Sequence, residues 1–146
     1  MCCTKVYFAS KALVIKDNKF LALFNKTIEG VKWDLPGGRM KFGENAEETL
    51  YREIIEELGV EVLPIRLIDT WNYIVNEEKM IQITGVIYYC KLNCYDIKLS
   101  DEHDGYQWFD IGSYNKEFNQ NVFSERMEKW NWATILDCNT PIVKYE

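Results

Sequence analysis

The chain has one histidine and three prolines in 146 residues, and fewer basic than acidic side chains, 17 against 23. Each shortage excludes something. A net charge of −6 gives no general attraction to nucleic-acid backbone or to an anionic membrane surface, and no basic strip suited to an RNA end is present. An anionic ligand would need a cation as intermediary, and a bound metal is the obvious choice. The five cysteines, Cys2, Cys3, Cys90, Cys94 and Cys138, are odd in number and irregularly spaced, which argues against a disulfide framework. Cys90 and Cys94 flank three residues, as half of a zinc site would, but no second Cys pair follows and the one histidine is His103. Reduced cysteines packed as small hydrophobes are the expectation. Long apolar runs are missing too. The stretch "MCCTKVYFASKALVIKD" is broken by Lys5 and Lys11, which argues against a signal peptide or membrane span. Nothing near Cys2 and Cys3 supports acylation, so a cytoplasmic location is expected. Proline occurs only at 36, 64 and 141, and no linker or repeat is visible. Residues 1–146 therefore read as a single domain.

What is present is ample material for a core: 47% apolar residues, with 14% aromatic. Residues 5–16 and 19–25 read as strands joined at "KDNK", a hairpin turn. "WDLPGG", 33–38, ends a short extended piece, where Pro36 biases Leu35 away from helix. Residues 62–75 and 79–92 read as longer strands joined at "NEEK", and "YQWFDI", 106–111, as another. A terminal helix is expected over 119–136, with Val122, Phe123, Met127, Trp130 and Ile135 on its buried face. Strands with one mid-chain and one terminal helix suggest an α/β or α+β layered domain.

The mid-chain helix is the unusual element. "GENAEETLYREIIEELGV", 43–60, carries six glutamates, Glu44, Glu47, Glu48, Glu53, Glu56 and Glu57, against Arg52 alone. Asn45 is a good N-cap, Glu48 completes a capping-box pattern and Gly59 is a good stop, which places the helix at about 46–58. Leu50, Ile54 and Leu58 form its apolar stripe, and Glu53, Glu56 and Glu57 share the neighbouring arc. Like charges at these spacings repel by roughly 0.2–0.5 kcal/mol per pair. Arg52 lies four residues after Glu48 and four before Glu56, placed to hold carboxylates by forked hydrogen bonds. Two readings follow. One is a solvated acidic face with no ligand. The other is a set of hard oxygen ligands for Mg²⁺ or Mn²⁺, which the Gly38 carbonyl would also reach.

The spacing from Gly38 to Val60 resembles the signature of the Nudix hydrolase family, G-x5-E-x7-R-E-U-x-E-E-x-G-U, where U is a bulky aliphatic. Gly38, Glu44, Arg52, Glu53, Glu56, Glu57 and Gly59 stand at its fixed positions, with Ile54 and Val60 at the aliphatic ones. The resemblance implies a Nudix-type α/β/α sandwich with a mixed central sheet. It also implies divalent-metal-dependent hydrolysis of a pyrophosphate bond in a nucleoside diphosphate-linked substrate. On that resemblance Glu53, Glu56 and Glu57, with the Gly38 carbonyl, carry Mg²⁺ or Mn²⁺, and Arg52 and Glu44 orient them. A general base is expected in "SDEHDGYQW", 100–108, where Glu102 is the choice and His103 the alternative.

The box says little about the substrate. Arg39, Trp71 and Tyr73 are candidates to meet it, although aromatics at alternating strand positions usually pack a sheet. A small single-domain member favours a nucleoside triphosphate, oxidised or noncanonical forms included. ADP-ribose, a nucleotide sugar or a dinucleoside polyphosphate are the alternatives, and a non-catalytic nucleotide-binding module is a further one. No nucleic-acid polymer or membrane partner is expected. Dimers are common in the family, so a homodimer stays open.

Overall fold

The computed structural model describes residues 3–137. Seven strands form its sheet: β1 (Lys5–Lys16), β2 (Lys19–Thr27), β3 (Gly30–Asp34), β4 (Gly37–Arg39), β5 (Val62–Asn76), β6 (Ile81–Leu92) and β7 (Gly105–Asp110). Helix α1 (Ala46–Leu58) lies between β4 and β5, and a 3₁₀ turn (Tyr114–Lys116), α2 (Ser124–Glu128) and α3 (Trp132–Leu136) follow β7. The expected mixed sheet is present. β1 runs parallel to β6, whereas the β1–β2, β1–β4, β2–β3, β2–β7 and β5–β6 pairs are antiparallel.

The turn at "KDNK" forms as the sequence suggests. Asp17 and Asn18 both take positive φ, 52° and 61°, the backbone that a two-residue hairpin turn requires. β1 and β2 pair only beside this turn, at Ile15↔Phe20 and Lys16↔Lys19, and then part. β4 takes over the edge of β1, at Ala9↔Arg39 to Lys11↔Gly37, and β3 takes over the edge of β2. The chain between β3 and β4, residues 34–37, therefore crosses the mouth of a fork in the sheet.

The alternation of β1 and β2 sends side chains to two separate cores. Ala12, Val14, Leu21 and Leu23 meet Leu50, Ile54 and Leu58 of α1, all buried. Ala9, Leu13, Ile15, Phe20 and Ala22 face the opposite way, into a layer with Trp33, Phe109, Phe118, Phe123, Met127 and Ile135. Both faces of the strands are covered, which is why their sequences read as near-continuous apolar runs. The arrangement is a three-layer α/β/α sandwich.

The carboxyl-terminal segment differs from expectation. Residues 119–136 form two five-residue helices rather than one. Asparagines redirect the backbone there: the Asn121 side chain accepts from Phe123 N, and the Asn131 side chain accepts from Thr134 N to start α3. Local bonds of this kind compete with helix continuation. Phe123, Met127 and Ile135 are buried nonetheless. Cys3, Cys90 and Cys94 are free, with Cys90 buried and Cys94 exposed; Cys2 and Cys138 lie outside the described residues. Among the described residues no helix is long and apolar enough to cross a membrane.

Candidate active site

Helix α1 starts and stops where its sequence directs. Asn45 accepts from Glu48 N at 2.8 Å, Glu48 accepts from Asn45 N at 3.0 Å, and Gly59 closes the helix with φ 69°. With the apolar stripe docked on the sheet, the acidic arc turns toward β4 and the fork.

Arg52 organises the outer part of this arc. Its Nε and Nη2 donate to the two oxygens of Glu44 at 2.6 and 2.9 Å, and Nη1 donates to Glu53 Oε1 at 2.8 Å. Nη1 also lies 3.3 Å from Glu56 Oε2, and Nη2 donates to the carbonyl of Arg39 at 2.9 Å. Glu44 further accepts from Lys41 N at 2.8 Å. The hydrogen bonds from Arg52, and after them that from Lys41, pull the Glu44 carboxyl down to about 2. These bonds in turn hold Arg52 firmly cationic. Gly38 fits because it has no side chain: a Cβ there would run into the Glu53 carboxyl group.

Glu57 sits apart from this network and deeper. It is 4% exposed, and its Oε1 accepts from Gly37 N at 2.8 Å. Burial pushes its carboxyl up to about 8, against the opposing pull of the Lys11 charge and the Gly37 bond. Gly37 has φ 135°, and a Cβ there would collide with the Ser10 carbonyl. The donor to Glu57 is thus set by a backbone shape that only glycine adopts readily.

The loop from 100 to 104 closes over Glu57 from a distant part of the chain. Ser100 N donates to the Glu57 carbonyl at 2.9 Å, and Asp104 N donates to the Phe24 carbonyl at 2.9 Å. His103 Nδ1 lies 3.7 Å from Glu57 Oε2. One donor atom each from Glu57, Glu102 and His103 lie within 4.8 Å of one another. Burial, chiefly, lowers the His103 pKa and favours the neutral ring.

Two participants escaped sequence reasoning. Lys11 Nζ is buried inside the fork, 3.1 and 3.2 Å from the Asp34 oxygens and 3.2 Å from the Leu35 carbonyl. Asp34 Oδ1 also accepts from Leu35 N at 2.8 Å. This pair pins the 34–37 segment that presents Gly37 N to Glu57. The available signal was a lysine inside the apolar run "ASKALVIK", which must find an anion once that strand is buried.

The three substrate candidates fall on β4 and β5. The Arg39 guanidinium lies over the Tyr7 ring, 4.3 Å from its centroid. Tyr73 is exposed and shares a cross-strand row with Ile83 and Tyr7. Trp71 is buried, edge-on to Phe123.

A chemistry follows from this donor set. Carboxylates from one helix face and an orphaned buried imidazole nitrogen suit a divalent cation better than a bare anion.

Comparison with known proteins agrees with this geometry. A model of the NUDIX domain matches residues 6–130. A curated relative, nucleoside triphosphatase NudI of Escherichia coli O81 (strain ED1a), is 33% identical over 85 residues, covering 53% of this chain. The chain spans only 60% of that relative's length. The 8-oxo-dGTP diphosphatase of Buchnera aphidicola (subsp. Acyrthosiphon pisum, strain APS) is 42% identical over 48 residues, 33% of this chain and 39% of its own. Among solved structures, the MutT protein from Methanosarcina mazei Go1 superposes with a TM-score of 0.73 at 24% identity, over 88% of this chain and 94% of its own. That likeness is one of fold. With the family model running across all three layers and every fixed position of the box assembled around α1, this chain belongs to the NUDIX family.

Proposed function

We propose that this chain is a Mg²⁺- or Mn²⁺-dependent hydrolase of a pyrophosphate bond in a nucleoside diphosphate-linked substrate, and that the substrate is a nucleoside triphosphate, oxidised or noncanonical forms included. One observation carries the proposal: Glu53, Glu56 and Glu57 stand on one face of α1, with Gly38 against Glu53. A polyphosphate approaching three carboxylates is repelled unless cations intervene. Glu53, Glu56 and Glu57 would hold the metal together with the Gly38 carbonyl. A divalent cation there supplies Lewis acidity and lowers the pKa of bound water.

The chain's own residues do the rest. Arg52 and Glu44 keep the carboxylates in place through the bonds described above. Glu102, close to Glu57 and His103, is the proposed acceptor of the water proton. Arg39 and Tyr73 present an open cationic and aromatic face for the nucleoside end, and buried Trp71 backs it from the core. The printed activities of the two curated relatives, a nucleoside triphosphatase and an 8-oxo-dGTP diphosphatase, support the triphosphate choice.

The test is a panel of nucleoside triphosphates, ADP-ribose, nucleotide sugars and dinucleoside polyphosphates with either metal, products being identified. The expected result is metal-dependent cleavage that favours a triphosphate. Glu57→Gln should lower turnover by about 10²-fold or more and leave folding intact. Tight binding without hydrolysis across the panel would overturn the enzymatic reading in favour of a nucleotide-binding module.

A further inference from the structure

His103 is nine-tenths buried, and its Nδ1 has no hydrogen-bond partner. Buried polar atoms are rarely left so. The Glu57 Oε2 atom, at 3.7 Å, is beyond hydrogen-bond reach. The same separation is shorter than the span across one cation, which is twice a metal–ligand bond of about 2.1 Å. Glu102 completes the group, all three donor atoms lying within 4.8 Å of one another.

The loop that carries the ring is held in place. It is tied to the end of α1 by Ser100 N and Lys98 N, which donate to the Glu57 and Leu58 carbonyls at 2.9 Å each. On the other side, Asp104 Oδ2 accepts from Lys26 N at 2.7 Å and Asp104 N donates to Asn25 Oδ1 at 3.1 Å. A histidine whose loop is anchored from both flanks, with a buried unpartnered nitrogen 3.7 Å from a carboxylate, is placed as a metal ligand would be.

We infer that His103 is a metal ligand through Nδ1, making the inner end of the site a mixed nitrogen and oxygen centre with Glu57, and leaving Glu102 beside it as the proton acceptor. The inference rests on the metal-dependent reading above and adds one nitrogen donor to it. A nitrogen donor shifts preference from Mg²⁺ toward softer divalent ions such as Mn²⁺ and Co²⁺, so His103 would tune which metal this chain prefers.

The chain has one histidine, so an imidazole signal has one source. The experiment is electron spin-echo envelope modulation on the tag-free protein with one equivalent of Mn²⁺ and no nucleotide, at natural abundance and with ¹⁵N-labelled histidine. Directly bound imidazole nitrogen should appear, change on labelling and vanish in His103→Gln. Calorimetric titrations should show Mn²⁺ affinity falling by about 10-fold in His103→Gln and Mg²⁺ affinity falling less. Mn²⁺ binding with no histidine coupling in the wild-type protein would overturn the inference and leave the metal-dependent reading standing. Absence of Mn²⁺ binding would overturn both.

Discussion

At the scale of single residues, the carboxylates on and just before α1 have different environments and so different properties. Glu44 and Glu57 make the contrast plainest. Arg52 draws the first down to about 2, while burial drives the second up to about 8. Glu57 makes stability depend on pH in a definite direction. Its ordinary value is 4.5, so between about 4.5 and about 8 the folded metal-free protein holds a proton that the unfolded chain has released. Its contribution is fully present below 4.5 and is lost as pH rises to about 8. Thermal midpoints in chelator should therefore decline across that window in wild type and decline less in Glu57→Gln; identical slopes would refute the assignment. Metal binding needs the proton gone, so Mn²⁺ affinity should climb over the same range. Gly38 offers a different residue-level test. Gly38→Ala would push the Glu53 carboxyl away from Arg52 and from the backbone at 38. Turnover should fall by about 10²-fold, as expected when a reacting geometry shifts by about 1 Å, with little change in melting temperature. Unaltered turnover would remove Glu53 from the site.

At the scale of elements, α1 is stabilised at one end and charged unfavourably at the other. Glu47 and Glu48 lie in its first turn, where the helix dipole favours anions. Glu56 and Glu57 lie near its carboxyl-terminal end, where the last turn holds no basic residue and Arg52, a turn earlier, reaches Glu56. Burial of Leu50, Ile54 and Leu58, each fully enclosed and contributing roughly 1.5–3 kcal/mol, outweighs repulsion worth a few tenths of a kcal/mol per pair. The capping box adds to this. Asn45→Ala should destabilise the protein by about 1 kcal/mol, measured by denaturant unfolding, with turnover per folded molecule kept. A cation at the acidic arc would relieve the remaining repulsion.

At the scale of the whole molecule, the site exists because separate parts of the chain converge on the fork between β1 and β2. The sheet opens there, the 34–37 segment crosses it, α1 lies on one face and the 100–104 loop closes from beyond β6. The opposite layer is fastened at one point in particular. Asp69 on β5 accepts from Arg126 Nη2 at 2.7 Å and from Trp130 Nε1 at 2.8 Å, joining α2 and the residues after it to the sheet. Asp69→Ala should destabilise the protein by about 1–3 kcal/mol, because Trp130 Nε1 loses its acceptor and Arg126 keeps only its bonds to Thr70. Metal affinity should be unchanged, since the Asp69 side chain bonds to the layer across the sheet from α1. A melting temperature equal to that of wild type would show that this junction carries little of the stability.

The sequence by itself determined α1, its cap and stop, its acidic arc and its apolar stripe, because each is written in spacings of a few residues that a helix turns into a face. It also determined the hairpin at Asp17–Asn18 and most strand spans, through alternation and turn chemistry. It did not determine the break between α2 and α3, because periodicity marks a buried face without showing that Asn121 and Asn131 capture the backbone. Nor did it separate Glu57 from its neighbours. That difference comes from burial under the 100–104 loop and the sheet, against which Gly37 and Lys11, 20 and 46 residues away in the chain, pull in the opposite direction. Burial and pairing depend on what arrives from afar, and only the folded sheet brings those groups to one carboxylate.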